Sequence, residues 1–228
     1  MQPSTATIAF YFDYISSNAY LAWRVLPELA ARYGKRIEPV PVLFAGLLEA
    51  HGQLGPAEIL PKAYWMWRNT LRKAALLGIP LNPPRFHPFN PLLALRVSSL
   101  EVAADKRCDL INALFDAVWV HSQHVSEADV VATIATGVGL PGTELVQQAQ
   151  QPEVKARLRQ QTDDAIGRGV FGVPTMIVGD ELFWGYDDFP YLELHLAGKD
   201  PLQSRPADAA LRTAPSASAR RRRFREGE

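Results

Sequence analysis

The chain has a single cysteine, Cys108, among 228 residues. That excludes an internal disulfide, a Cys-based zinc site and dithiol exchange within one chain. No apolar run is long enough to span a bilayer, and the opening residues MQPSTAT carry no basic leader pattern, so the expected setting is cytoplasmic. A glycine-rich phosphate loop is missing as well, because Gly137, Gly139 and Gly142 do not follow a strand. His121 and His124 lack an acidic or Cys partner at metal-ligand spacing, so no metal is expected. Formal net charge is zero, which gives no overall basic field for nucleic acid.

What is present suits a globular protein. Apolar residues make up 47% and charged residues 21%, enough for one large core or a core with an insertion. The charge is uneven. Residues 199–228 hold 8 Lys/Arg against 4 Asp/Glu, leaving 16 against 20 for the rest. This Ala/Pro/Ser/Arg-rich stretch has little to bury and reads as a disordered tail. Arg220 to Arg223 suit an acidic partner or nucleic acid, but composition favours a solvated extension.

The organising stretch runs from Ile8 to Trp23. Ile8, Phe10 and Phe12 alternate with Ala9, Tyr11 and Asp13 as in a strand. A helical pattern follows, with Tyr20, Leu21, Val25, Leu26, Leu29 and Ala30 at spacings of three and four. Ser16-Ser17-Asn18 at the junction are N-capping types. A hydroxyl there sits where backbone donors and the helix dipole favour a thiolate or another small anion. Residues 37–42 read as a second strand, and strands then stop for over a hundred residues. Helices are expected over 61–77 (closed by Gly78), 90–104, 105–121, from a capping-box pattern at Ser126 and Asp129, from Thr143, and over 152–168. Near the far end, GVFGVPTMIV and ELFWG flank Gly179-Asp180, a hairpin signal with a candidate cis peptide at Val173-Pro174.

The segments FYFDYIS (Phe10 to Ser16), GPAEI (Gly55 to Ile59), HPFNPL (His87 to Leu92), FDAVW (Phe115 to Trp119) and GVFGVPT with LFWG (Gly169 to Gly185) carry a resemblance over residues 7–197. The chain resembles the 2-hydroxychromene-2-carboxylate isomerases, relatives of kappa-class glutathione transferases and of the bacterial disulfide oxidoreductases. The resemblance implies an α/β fold: a thioredoxin-like core (1–44 and 146–198) with a large all-helical insertion (45–145), DsbA/kappa-like. It also implies glutathione as cofactor, a small aromatic-derived substrate and a homodimer. Ser16 stands where the oxidoreductases place the first Cys of Cys-x-x-Cys, and here the four positions are Ser16-Ser17-Asn18-Ala19. By resemblance Ser16 is the catalytic residue and hydrogen-bonds the glutathione thiol, although Ser17 leaves a second hydroxyl alongside. Read as sequence alone, Ser16 is equally an ordinary N-cap.

By the same resemblance Val173 pairs its backbone with the cysteinyl unit. Trp184, Gly185, Tyr186 and Asp187 take the γ-glutamyl end, with Asp187 facing its ammonium, and Lys62 meets a carboxylate. Asp187 reads equally well as a cap of the last helix, and Lys62 as a solvated first-turn lysine. The substrate is expected near Phe44, Trp65, Phe89, Asn90 and Trp119, with Asn90 the candidate contact, though aromatics there are more often core. The isomerases' Asn-Arg pair after Gly-Pro is absent; Glu58-Ile59 stand nearby. A glutathione transferase acting on another electrophile, and a non-catalytic peptide-binding module, are the competing functions.

Overall fold

The structure is a computed structural model and describes residues 6–102 and 104–202. Strand β1 (Thr7–Phe12) leads into α1 (Ser17–Arg32), which returns the chain to β2 (Arg36–Pro41), parallel to β1. A run of helices follows before the sheet resumes, beginning with α2 (Phe44–His51), α3 (Leu60–Leu77), α4 (Leu92–Ser98), α5 (Ala104–Trp119), α6 (Ala128–Gly137) and α7 (Gly142–Gln148). Then come α8 (Pro152–Gly167), the hairpin β3 (Thr175–Val178) and β4 (Glu181–Trp184), and α9 (Phe189–Leu196). The sheet order is β2-β1-β3-β4, with β3 antiparallel to both β1 and β4. This is the expected thioredoxin-like core with a helical insertion.

Strand β1 is central, so both of its faces are covered and its pattern is not the half-polar alternation of an edge strand. On one face Phe10 meets Trp23 of α1 at 5.5 Å between centroids, and Phe12 meets Phe115 of α5 at 5.6 Å. On the other, Ala9 and Tyr11 join Val42, Leu47, Ala165, Val170 and Ile177, a cluster supplied by α2, α8 and the neighbouring strands. The polar atoms of the buried aromatics are satisfied. Trp23 Nε1 donates to Asn112 Oδ1 at 2.6 Å, and Trp119 Nε1 donates to the Tyr14 carbonyl at 2.9 Å.

Three elements differ from the sequence expectation. Helix α4 stops at Ser98 instead of continuing to 104. The Ser98 and Ser99 hydroxyls turn back onto the Ala94 and Leu95 carbonyls, and Arg107 and Arg157 donate to the Ser98 and Ser99 carbonyls, which gives the chain its exit. Helix α6 begins at Ala128 without a side-chain cap, because a turn closed by Glu127 N–H to the His124 carbonyl takes up Ser126. Helix α2 was not expected at all. Its start lacks a local cap and is held from a distance: Leu43 N–H donates to Thr162 Oγ1, and Phe44 N–H to Asp13 Oδ2. Helix α3 ends as expected on Gly78, whose φ of 66° closes it in the left-handed region.

The described residues fall into two units, divided between Phe189 and Pro190. In the second, Gly198 follows α9 with a φ of 69°, and His195 Nδ1 lies 3.3 Å from Asp200 Oδ2. The Arg220–Arg223 run lies outside the described residues. Among those described, no helix is long and apolar enough to cross a membrane.

Candidate functional site

The site begins at the end of β1. Asp13 is wholly buried; its Oδ1 accepts from Ile15 N–H at 3.0 Å, and its backbone carbonyl accepts from Ser16 N–H at 3.1 Å. That tight turn presents Ser16 as the N-cap of α1, where its Oγ accepts from Ala19 N–H at 3.1 Å. The capping reading of Ser16 is therefore correct as far as it goes. The same oxygen also reaches across the chain, donating to the Val173 carbonyl at 3.3 Å. The neighbouring hydroxyl points elsewhere. Ser17 is buried, with Oγ 3.2 Å from Thr70 Oγ1 on α3. Thr70 spends its own proton on the Met66 carbonyl, so Ser17 is the donor of that pair. Of the two hydroxyls, only that of Ser16 stands at the partly exposed mouth.

The Val173-Pro174 peptide is cis, as expected. Gly185 N–H donates to the Pro174 carbonyl at 2.8 Å, and Thr175 Oγ1 to the Gly172 carbonyl at 2.8 Å, so the loop is tied on both sides. Val173 N–H has no hydrogen-bond partner among the described residues. Its carbonyl keeps a lone pair beyond the one Ser16 uses. An extended backbone can add itself to such an edge. Trp184 is half exposed and lies over this loop, 5.2 Å from the Phe171 ring. A Cβ at Gly172 would come within 2.6 Å of Trp184 Nε1. Gly172→Ala is therefore expected to push the indole aside, costing about 1–3 kcal/mol by overpacking. The check is the unfolding midpoint together with a shift in tryptophan emission, and an unchanged spectrum counts against this packing.

Behind Ser16 the charges are arranged by α3. Lys73 Nζ donates to Asp187 Oδ2 at 2.7 Å and to Asn18 Oδ1 at 3.3 Å, and it lies 5.7 Å from the Tyr186 ring centroid. The lysine side chain is only 12% exposed, whereas that of Asp187 is 72% exposed. Asp187 does not cap the last helix. Asp188 secures this turn instead, its Oδ2 accepting from Trp184 N–H at 2.8 Å. Val173, Gly185 and Ser16 are thus joined through one hydrogen-bonded loop, with Asp187 and Tyr186 held to α1 through Lys73. Lys62 is not among them. It is exposed in the first turn of α3, about 16 Å along the helix axis from Lys73. Lys73 was missed in the sequence because a helical lysine gives no local sign of the acid it will meet.

The carbonyl before Ser16 is held by a residue the sequence also concealed. His87 Nε2 lies 3.1 Å from the Ile15 carbonyl, which can only accept, so Nε2 carries the proton. Burial lowers the pKa of His87, which favours the neutral ring. The imidazole sits edge-on to Trp67 at 5.0 Å and is 6.0 Å from Trp119. Trp119 itself is fully buried and belongs to the core, not to a ligand surface. Phe44 packs against the cluster on the opposite face of the sheet, Trp65 is 59% exposed, and Phe89 lies 6.1 Å from His87. Asn90 is exposed, and its Oδ1 accepts from Leu92 N–H at 3.0 Å.

Burial raises the Asp13 carboxyl pKa to about 7, against the lowering effect of its two backbone donors. Cys108 is partly buried on α5, and burial raises its thiol pKa too, so it is not a poised nucleophile. Among the described residues no cluster of His, Cys, Asp or Glu is suited to a metal ion.

A thioredoxin-like sheet with a capped hydroxyl facing a cis-proline loop defines a class, and comparison with known proteins agrees. The family described as a DSBA-like thioredoxin domain matches residues 7–197. A 2-hydroxychromene-2-carboxylate isomerase of Sphingobium xenophagum is 32% identical, over 84% of this chain and 98% of that protein. A solved 2-hydroxychromene-2-carboxylate isomerase superposes with a TM-score of 0.78 at 29% identity, covering 84% of this chain and 95% of that one. Glutathione s-transferase kappa 2 of Caenorhabditis elegans is 26% identical over 91% of this chain and 100% of its own length. The chain belongs to the 2-hydroxychromene-2-carboxylate isomerase family of DsbA-like thioredoxin domains.

Proposed function

We propose that this protein is a glutathione-dependent isomerase acting on an aromatic-derived substrate of the 2-hydroxychromene-2-carboxylate kind. The observation that carries the reading is the Ser16 hydroxyl, set at the N-terminus of α1 and facing the Val173 carbonyl across the loop. Glutathione would supply the thiol nucleophile, which adds reversibly to a conjugated carbon and leaves again after rotation about the bond made single. The residues present suit that cofactor. Val173 offers an unused N–H and a half-used carbonyl to the cysteinyl unit, and Asp187 offers an exposed carboxylate to the γ-glutamyl ammonium. Trp184, Gly185 and Tyr186 line the same edge. Ser16 would turn its proton from Val173 to the sulfur, stabilising the anion of a thiol whose ordinary pKa of about 8.5 keeps it mostly protonated at neutral pH. The absence of any second thiol near Ser16 supports thiol addition over disulfide exchange. A cytoplasmic homodimer completes the proposal.

A kappa-like conjugating activity is the second reading, favoured by Glu58-Ile59 standing near where the isomerases carry an Asn-Arg pair. The two differ in whether glutathione appears in the product. Calorimetric titration with glutathione tests what they share. Saturable binding is expected, weakened by roughly 10-fold or more in Asp187→Ala, since a hydrogen bond to a charged group is worth about 1.5–3 kcal/mol. No binding at millimolar glutathione would overturn both.

A further inference from the structure

We infer that Lys73 and Asp187 together form a receptor for an α-amino-acid zwitterion, with Lys73 taking the carboxylate and Asp187 the ammonium of the ligand's terminal unit. The inference rests on the glutathione reading and extends it to a residue on α3. The argument is a count of unused hydrogen-bonding capacity. An ammonium has three donors, and Lys73 spends two of them on Asn18 Oδ1 and Asp187 Oδ2. One N–H remains. Asp187 spends only Oδ2, and among the described residues Oδ1 has no partner. A free donor on a fixed cation thus stands beside a free acceptor on an exposed anion.

A zwitterion carries the complementary pair on one carbon. Its carboxylate accepts the third N–H of Lys73, and its ammonium donates to Asp187 Oδ1, so four charges pair without either protein group losing its partner. A ligand with only the amine leaves the Lys73 donor unused, and one with only the carboxylate leaves the Asp187 acceptor unused. The site is pre-organised on the cationic side. Lys73 is 12% exposed, anchored to the first turn of α1 through Asn18 and lying near the Tyr186 ring. Little side-chain freedom is lost there on binding. The ligand class selected is the γ-glutamyl type, whose free α-amino and α-carboxyl groups both survive in the peptide.

The test compares glutathione with γ-aminobutyryl-cysteinyl-glycine, which lacks the α-carboxylate, and glutaryl-cysteinyl-glycine, which lacks the α-amine. Affinities are read by calorimetry on the wild type, Lys73→Met and Lys73→Arg, with unfolding midpoints confirming that each variant is folded. The wild type is expected to bind each analogue roughly 10-fold or more weakly than glutathione. Lys73→Met is expected to lower glutathione affinity to the level of the γ-aminobutyryl analogue while leaving that analogue's own affinity unchanged. Lys73→Arg, which keeps the charge, should recover part of the loss. If Lys73→Met binds glutathione as the wild type does, or weakens glutathione and the γ-aminobutyryl analogue equally, the assignment of Lys73 is wrong while glutathione binding stands. If the wild type binds none of the three, the glutathione reading falls and takes this inference with it.

Discussion

Ser16→Ala is expected to reduce glutathione-dependent turnover by roughly 10²- to 10³-fold, the loss typical of removing one pre-organised donor from a developing or bound anion. The same substitution removes an N-cap and should cost about 1 kcal/mol of stability, too little to account for such a loss in a folded protein. Two measurements separate the effects. The ultraviolet absorbance of bound thiolate, followed against pH, should show the glutathione thiol titrating higher in Ser16→Ala than in the wild type. Ser17→Ala serves as the contrast. Its hydroxyl is buried against Thr70, so that variant should lose about 1 kcal/mol of stability and keep its turnover. Equal activity in Ser16→Ala and the wild type would leave a thioredoxin-like binding module as the better reading.

The second large effect concerns Asp13. Its carboxyl titrates near 7 in the folded chain because burial penalises the charge, against about 3.9 when unfolded. The folded state therefore holds a proton that the unfolded state has already released between these values. Stability from this group is fully present below about pH 4 and falls as pH rises towards 7, by at most about 1.4 kcal/mol per pH unit. Asp13→Asn abolishes the titration. It keeps an acceptor for Ile15 N–H but turns an amide donor towards Phe44 N–H, or the reverse, costing about 1–3 kcal/mol. The wild type should thus be more stable than Asp13→Asn near pH 5, and the gap should narrow towards pH 8. Denaturant unfolding of both proteins across this range provides the check, and parallel curves would mean that Asp13 is charged in the folded state throughout. The point matters for the site because the Asp13 turn sets Ser16 at the head of α1.

Much of the framework was legible because its signals are local. The alternation from Ile8 to Asp13, the spacing of Tyr20, Leu21, Val25 and Leu26, and the Gly179-Asp180 turn each depend on residues a few positions apart. So does the capping role of Ser16, and the closure of α3 by Gly78. The motif pairs at the two ends were enough to point to the family.

What stayed hidden was long-range. Helix α2 begins where it does because Asp13 and Thr162, far away in the chain, accept its first N–H groups; nothing within residues 44–51 marks the start. The expected continuation of α4 to 104 fails because arginines from α5 and α8 take the carbonyls at its end. The motif points to Lys62 for a glutathione carboxylate; Lys73, three turns further along the same face of α3, carries no motif and meets Asp187 only through the fold. Trp119 reads from sequence as a possible wall of a ligand site, and burial makes it part of the core, with its N–H spent on Tyr14.

By itself, then, the sequence determined the strands and the helices other than α2, the hydroxyl at the strand-to-helix turn and the lack of any redox partner beside it, since these follow from neighbours in the chain and from which residue types exist at all. Only the tertiary structure decided which serine faces the opening, which lysine joins Asp187 and how Asp13 comes to hold its proton. The first two depend on distances between groups 50 to more than 100 positions apart and the third on the exclusion of water around the carboxyl, and neither quantity exists until the helices have packed onto the sheet.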